Sequence, residues 1–275
     1  MSDSSRLLLA IVVGAVLAAS IGRRGRRSAR RPIRLVATAI GAACLLGPLG
    51  TAAWIGANSP KYGWFGAQVA HGPRTTASVA LTFDDGPNDS ATVAIARLLE
   101  ARRVRATFFV VGRAVEARPE LTRRLVAGGH LLGNHSFRHD ATGWLDPRYP
   151  ELARTQAVIH RVAGVCPAFY RAPHGQHTPL LSRVVHAHAM IMVGWEASAG
   201  DWAARSPGVI ARRILRKVRA GSIIDLHDGL DGDPTIDRRV LVRALPLILD
   251  GLAERGLQPV RLDELLGRAG TLSRC

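Results

Sequence analysis

Short apolar or β-branched runs punctuate the chain from Ser78 onward, at 78–83 (SVALTF), 106–111 (ATFFVV), 168–171, 189–193, 222–226 (SIIDL) and 257–261. They alternate with longer segments in which apolar residues return at helical spacing, at 91–102, 114–127, 150–163 and 236–255. Strands that alternate with helices predict βαβ units and a parallel sheet, so the fold class is α/β. About seven such units within roughly two hundred residues suit a distorted, incomplete (β/α) barrel better than a doubly wound sheet. In a barrel, chemistry gathers where strands end and loops begin, which directs attention to the polar residues that close each run.

The amino-terminal part follows a different pattern. Residues 7–22 are apolar and uncharged, a cluster of arginines runs from Arg23 to Arg34, and residues 35–60 are again free of charge. At about 1.5 Å per residue the second stretch is long enough to cross a hydrocarbon core of roughly 30 Å, whereas the first falls short of it. Either both stretches form a transmembrane hairpin with the arginines in its cytoplasmic turn, or the arginines are the n-region of a signal sequence with an extension before it. Both readings put everything after Ala57 outside the cytoplasm. They predict a membrane anchor over 1–57, a linker over 58–75 and a catalytic domain over 76–275. Trp54, Tyr62, Trp64 and Phe65 lie where an interfacial aromatic belt would, and equally where linker aromatics would.

The formal charge of +16 raises the question of nucleic acid. Residues 1–60 hold eight arginines and a single aspartate, while the distal basic residues, such as Arg212, Arg213, Arg216 and Lys217, are scattered without an aromatic-studded stripe. Nucleic acid is therefore not the expected partner; an anionic wall or lipid surface suits the charge equally well. Of the three cysteines, Cys44 falls in the second apolar stretch, without the large aliphatic residue before it that a lipoprotein signal needs. Cys166 and Cys275 can pair in an oxidising compartment, but sequence separation does not establish their proximity.

Five polar clusters follow strand-like runs. TFDDGP at 82–87 sets Asp84 and Asp85 at the end of an apolar run; neighbouring strand side chains point to opposite faces, so the two acids need not share a role. HSFRH at 135–139 places His135 and His139 four residues apart, which on a helical turn lets both reach one ion. Two histidines and one carboxylate leave metal positions open for water and substrate, and a second carboxylate can then take the proton from that water. FYRAPHG at 169–175 supplies Arg171, suited to orienting an acid, and a loop that can turn a backbone N–H toward an oxyanion. GDW at 200–202 and DLHD at 225–228 complete the series and put His227 at a strand end.

In this order TFDDGP, HSFRH, RAPHG, DW and LH resemble the motifs of the NodB-like polysaccharide deacetylases, carbohydrate esterase family four. ATFFVVG at 106–112 and GHLLGNHSFRH at 129–139 strengthen the resemblance, which covers roughly residues 76–267. It implies a distorted barrel with fewer than eight full units. It makes Asp84 the general base, Asp85, His135 and His139 the metal ligands, and His227 the general acid. Arg171 would hold Asp84, with Asp201 setting the arginine in turn; Trp202 and Leu226 would wall the pocket for the acetyl methyl; and a backbone N–H near His174 would face the oxyanion. The implied cofactor is a divalent ion, zinc by default, with cobalt, nickel and manganese suited to the same donors. The implied substrate is an N-acetylated glycan, cleaved to acetate and a free amine.

Two positions depart from the family pattern. His174 stands where the family usually has another aromatic residue, altering the cleft wall, and Ser198 stands where an additional acid is common, removing a support of the site. O-acetyl xylan, a formylated lipid-linked amino sugar and a role as a non-catalytic glycan binder are the competing readings. The presence of Asp84 and His227 speaks against the last.

Overall fold

The structure, a computed structural model, describes residues 47, 50–59, 66–143 and 146–275. The chain divides into two units, Met1–Ile55 and Gly56–Cys275. In the first, residues 47 and 50–55 are helical and the Trp54 side chain is exposed. The first apolar stretch, the arginine cluster, most of the second stretch, and Tyr62, Trp64 and Phe65 lie outside the described residues. No helix among the described residues is long and apolar enough to cross a membrane.

The second unit is built on eight strands: β1 (Ser78–Asp84), β2 (Thr107–Val110), β3 (Leu131–Asn134), β4 (Phe169–Tyr170), β5 (Ile191–Met192), β6 (Ala197–Ser198), β7 (Ile223–His227) and β8 (Gln258–Val260). The sheet runs β5-β4-β3-β2-β1-β7-β6, with β8 also on β1, and every pairing is parallel. The helices are α1 (Thr92–Ala101), α2 (Gly112–Ala117), α3 (Pro119–Ala127), α4 (Pro150–Ala163), α5 (Pro179–Ala187), α6 (Pro207–Leu215), α7 (Arg239–Glu254) and α8 (Leu262–Leu266).

Alternation along β1 explains both the core and the site. Leu81 and Phe83 join the large cluster that also holds Ile95 and Leu99 of α1 and Leu245 and Ile248 of α7, whereas Ala80 belongs to a second cluster with Phe109, Phe169 and Ile223. Thr82 and Asp84 share the face of Ala80, so the polar end of that face is what the strands present to the cleft. Phe83 and Phe108 stack at 4.9 Å between centroids, and truncating either to Ala would cost about 3–5 kcal/mol.

Several elements differ from the sequence expectation. β3 and β6 are strands that the apolar pattern does not single out, and the helical segment 114–127 is two helices, because Pro119 starts a new one at its first position. Gly133 in β3 is forced by its neighbour: a Cβ there would stand 2.4 Å from the Phe109 ring. Part of the expected linker belongs to the barrel. Val69 N–H donates to Met192 O and Gly194 N–H to Val69 O, while Gly72 N–H donates to Gly221 O, so residues 69–72 connect the β5 edge to the start of β7. At the other end of the chain, Cys166 and Cys275 are joined by a disulfide, beside a Leu272 N–H to Cys166 O hydrogen bond of 2.8 Å.

Candidate active site

Asp85 follows β1 but does not continue its alternation. Its φ of 75° lies in the left-handed region and turns its side chain back to the cleft that Asp84 faces. The two adjacent carboxylates therefore do share one site. Tight passage of chain permits this: a Cβ on Gly229 would lie 2.4 Å from the Asp85 carbonyl oxygen.

His135 and His139 sit on a loop after β3, not on the helical turn their spacing suggested. Ser136 and His139 both have positive φ, at 63° and 59°, and the loop is braced from Asn134. Asn134 Oδ1 accepts from Ser136 N–H, its Nδ2 donates to Leu152 O and Gln156 Oε1, and Ser136 Oγ accepts from His139 N–H. This brings the imidazole centroids to 4.9 Å. His135 Nε2 is 3.3 Å and His139 Nε2 3.1 Å from Asp85 Oδ1.

That carboxylate oxygen is buried and has no hydrogen-bond partner, as expected of an atom that serves a cation rather than a donor. Two outer atoms of the set are hydrogen-bonded, and a third has a carboxylate beside it. His135 Nδ1 donates to Arg171 O at 2.8 Å, Asp85 Oδ2 accepts from Asp231 N–H at 3.0 Å, and the Asp231 carboxylate lies 3.0 Å from His139 Nδ1. Burial pushes the Asp85 carboxyl up, but the imidazoles of His135, His139 and His227 outweigh it and hold the group well below the usual carboxylate range. Burial, with the charge of His135, lowers His139 to about 3, so its ring is neutral and can donate a lone pair. Two nitrogens and one carboxylate oxygen on one face fit a divalent ion with open positions.

Asp84 stands beside this set, its Oδ2 3.7 Å from His135 Nε2. Its Oδ1 accepts from Arg171 Nη1 at 2.6 Å, and Arg171, fully buried, also donates to Thr82 Oγ1 and Gly194 O and lies over the Phe109 ring. The second carboxylate at this guanidinium is not Asp201. It is Asp225, whose Oδ1 is 3.6 Å from Arg171 Nη1 and which is itself fully buried. Burial above all, and the Asp84 charge, raise Asp225 to about 7. Asp225 pairs with Ser198 across β6 and β7, so an acid missing from β6 has a counterpart on the neighbouring strand.

Asp201 instead serves His227. Its Oδ1 accepts from His227 Nδ1 at 3.0 Å, and its Oδ2 accepts from His227 N–H and, at 2.6 Å, from the buried Arg238. Burial disfavours a charged His227, but Asp225, Asp201 and Asp85 prevail and raise its pKa well above the ordinary value. The ring edge of Trp202 meets His227 at 4.9 Å.

A cleft of about 350 Å³ joins the two sets and is closed by His174, Trp195, Trp202 and Leu230. His174, with a φ of 56°, packs its ring on His139 at 4.6 Å. Leu226 does not wall this cleft: it points to the opposite face of β7, into the core cluster with Phe83 and Ile224, and Leu230 takes the apolar position. Sequence reasoning passed over Asp225, Asp231, Arg238 and Trp195. The DLHD cluster contained Asp225, and the acid-rich loop that follows it contained Asp231. Nothing in the sequence distinguishes Arg238 from its neighbour Arg239, which pairs at the surface with Asp237.

A sequence profile described as polysaccharide deacetylase matches residues 71–193. A chitooligosaccharide deacetylase from Bradyrhizobium sp. is 36% identical over 202 residues, covering 69% of this chain and 91% of that protein. The solved structure of the Bc1960 peptidoglycan N-acetylglucosamine deacetylase superposes with a TM-score of 0.69 at 29% identity, over 74% of this chain and 94% of that one. A family 4 acetyl xylan esterase from Clostridium thermocellum, solved with a cobalt ion, gives a TM-score of 0.62 at 35% identity, over 68% and 89% of the two chains.

Proposed function

The chain belongs to the polysaccharide deacetylase family, and from that premise we propose that it is a metal-dependent hydrolase that removes N-acetyl groups from N-acetylglucosamine-type residues of a cell-wall or extracellular glycan. One observation carries this reading. The same cleft holds three convergent donor atoms, from Asp85, His135 and His139, between a carboxylate fixed by a buried arginine and an imidazole fixed by a buried aspartate.

A divalent ion held by Asp85, His135 and His139, with zinc the simplest choice and cobalt, nickel or manganese suited to the same donors, would polarise the amide carbonyl and acidify the attacking water. Asp84 takes the proton of that water as the water oxygen bonds to the acetyl carbon; the pairing with Arg171 keeps the base aimed. The Pro173–Gly175 turn, next to the ligand set, offers the backbone N–H that the developing oxyanion needs. His227, its Nδ1 held by Asp201, gives its Nε2 proton to the amine as the C–N bond breaks. Acetate and a free amine leave, and the amine takes a proton near neutral pH. Trp202 and Leu230 supply the apolar contact for the acetyl methyl.

We place the catalytic domain outside the cytoplasm, attached through residues 1–57. The Cys166–Cys275 disulfide suits an oxidising compartment, and the arginine cluster precedes the last apolar stretch. The chain, given zinc or cobalt, is to be incubated with chitooligosaccharides, peptidoglycan, acetyl-xylan and a formylated amino-sugar lipid. Acetate release from the N-acetylated glycans supports the proposal. Release confined to acetyl-xylan or to the formylated lipid replaces the substrate, and no release from any of them removes the enzymatic reading.

A further inference from the structure

A second concavity on the described residues exceeds the catalytic cleft in volume. It measures about 590 Å³ and lies between α1 and α3, reaching the segments that lead into β2 and β3. Those segments enter the amino-terminal ends of parallel strands, whereas Asp84, His135 and His227 lie at carboxyl-terminal ends, and the two concavities share no lining residue.

Four exposed arginines, Arg97, Arg103, Arg105 and Arg124, line it against one acid, Glu100. None of the four has an ion-pair partner among the described residues, in contrast to Arg102 just after α1, Arg118 just before α3 and Arg123 on α3, which engage Asp250, Asp89 and Glu120. His130 lines the same hollow, and its side chain is fixed. Its Nδ1 accepts the Ala106 N–H at 3.2 Å, which makes Nε2 the nitrogen that bears hydrogen, and its ring stands edge-on to Phe108. Burial, with the charges of Arg261 and Arg105, lowers His130 to about 4, so near neutrality it is a neutral donor and not a fifth cation. Arginines without an acidic partner among the described residues, lining one hollow with an imidazole N–H donor, match an oxyanion with several acceptor oxygens. The guanidinium fork pairs with carboxylate and phosphate alike, but a phosphate chain offers several guanidinium groups at once more acceptor oxygens than a single carboxylate does.

We propose that this hollow binds the phosphate groups of a polyanionic ligand, either an anionic phospholipid surface or a soluble phosphate polymer. Its position leaves the catalytic cleft free, so the chain can hold a polyanion and work on a glycan at the same time. The reading is independent of the reaction assigned to the cleft.

The test uses the full chain and two probes, inorganic tripolyphosphate and vesicles of phosphatidylglycerol with phosphatidylcholine vesicles as reference. The Arg97→Gln/Arg124→Gln double variant alters exposed positions only. Arg212→Gln/Arg216→Gln, on and just after α6, removes the same charge elsewhere and serves as the control. Affinity for at least one probe, tripolyphosphate by calorimetry or phosphatidylglycerol vesicles by sedimentation, should drop at least tenfold in the first variant and little in the control, with acetate release unchanged in both. If the loss appears only as reduced sedimentation with phosphatidylglycerol vesicles, the ligand is a lipid headgroup; if it appears only with tripolyphosphate, the ligand is a soluble phosphate polymer. Equal losses in the two variants, or no binding of either probe by the parent chain, would overturn the proposal.

Discussion

The two walls of the cleft are built by opposite means. The wall formed by Asp85, His135 and His139 comes from loop residues, two of them in the left-handed region, and leaves Asp85 Oδ1 without a hydrogen-bond partner. The wall formed by Asp84 and His227 comes from the last residues of β1 and β7, which are register partners, and each side chain is locked by a buried opposite charge. A ligand atom must stay available to a cation, whereas a proton carrier must be held in one direction. The first need favours bent backbone with free lone pairs, and the second favours straight strands backed by buried ion pairs.

Substitutions that spare one wall and damage the other exploit this difference. The largest effect is expected at His227. His227→Ala should lower turnover by roughly a hundredfold or more while bound metal, measured by elemental analysis, stays near one equivalent, because a proton donor is lost and no ligand is. Loss of metal would move His227 to the other wall.

Asp231 is predicted to act on the opposite wall at a smaller scale. Its carboxylate faces His139 Nδ1 and its N–H holds Asp85 Oδ2. Asp231→Asn keeps the backbone donor and removes the charge, so metal affinity by competitive chelation should fall about tenfold, with turnover at saturating metal close to the parent's. Unchanged affinity would reduce Asp231 to a loop residue.

The smallest effect is a displacement of a pH profile. The pKa of His227 is raised, so the protonated donor persists through neutrality and is lost as pH climbs through the raised value; kcat/KM should fall on the alkaline side. Asp201 is one cause of the raise, and Asp201→Asn should move that alkaline limb to lower pH. An unmoved limb would assign it to another group.

Much of this was legible in the chain. Alternating runs announce the parallel sheet, and the strand ends carry Asp84, Asp85, His135, His139, Arg171, Asp201 and His227 into one cleft or its immediate support. What was not legible depends on backbone sign and on distant partners. Alternation assigns Asp84 and Asp85 to opposite faces, and only the left-handed turn at Asp85 reverses that. The spacing of His135 and His139 fits a helical turn, yet the loop reaches the same separation through Ser136. β6 is two residues long, too short to register as a run, which hid that Asp225 lies beside Ser198 and reaches Arg171. The family resemblance sets Asp201 on Arg171, and an aspartate in a GDW cluster carries no sign of its own that it meets His227 and Arg238 instead.

Metal affinity in the paired variants Asp84→Asn and Asp85→Asn tests the division between the walls most directly. Asp85→Asn should weaken binding of zinc or cobalt, and added metal should restore activity in part. Asp84→Asn should bind metal like the parent and remain inactive at any metal concentration, since an amide cannot accept the proton of water. If the two variants lose metal equally, or if both bind it normally and stay active, the two carboxylates have no separate duties and the account of the cleft is wrong.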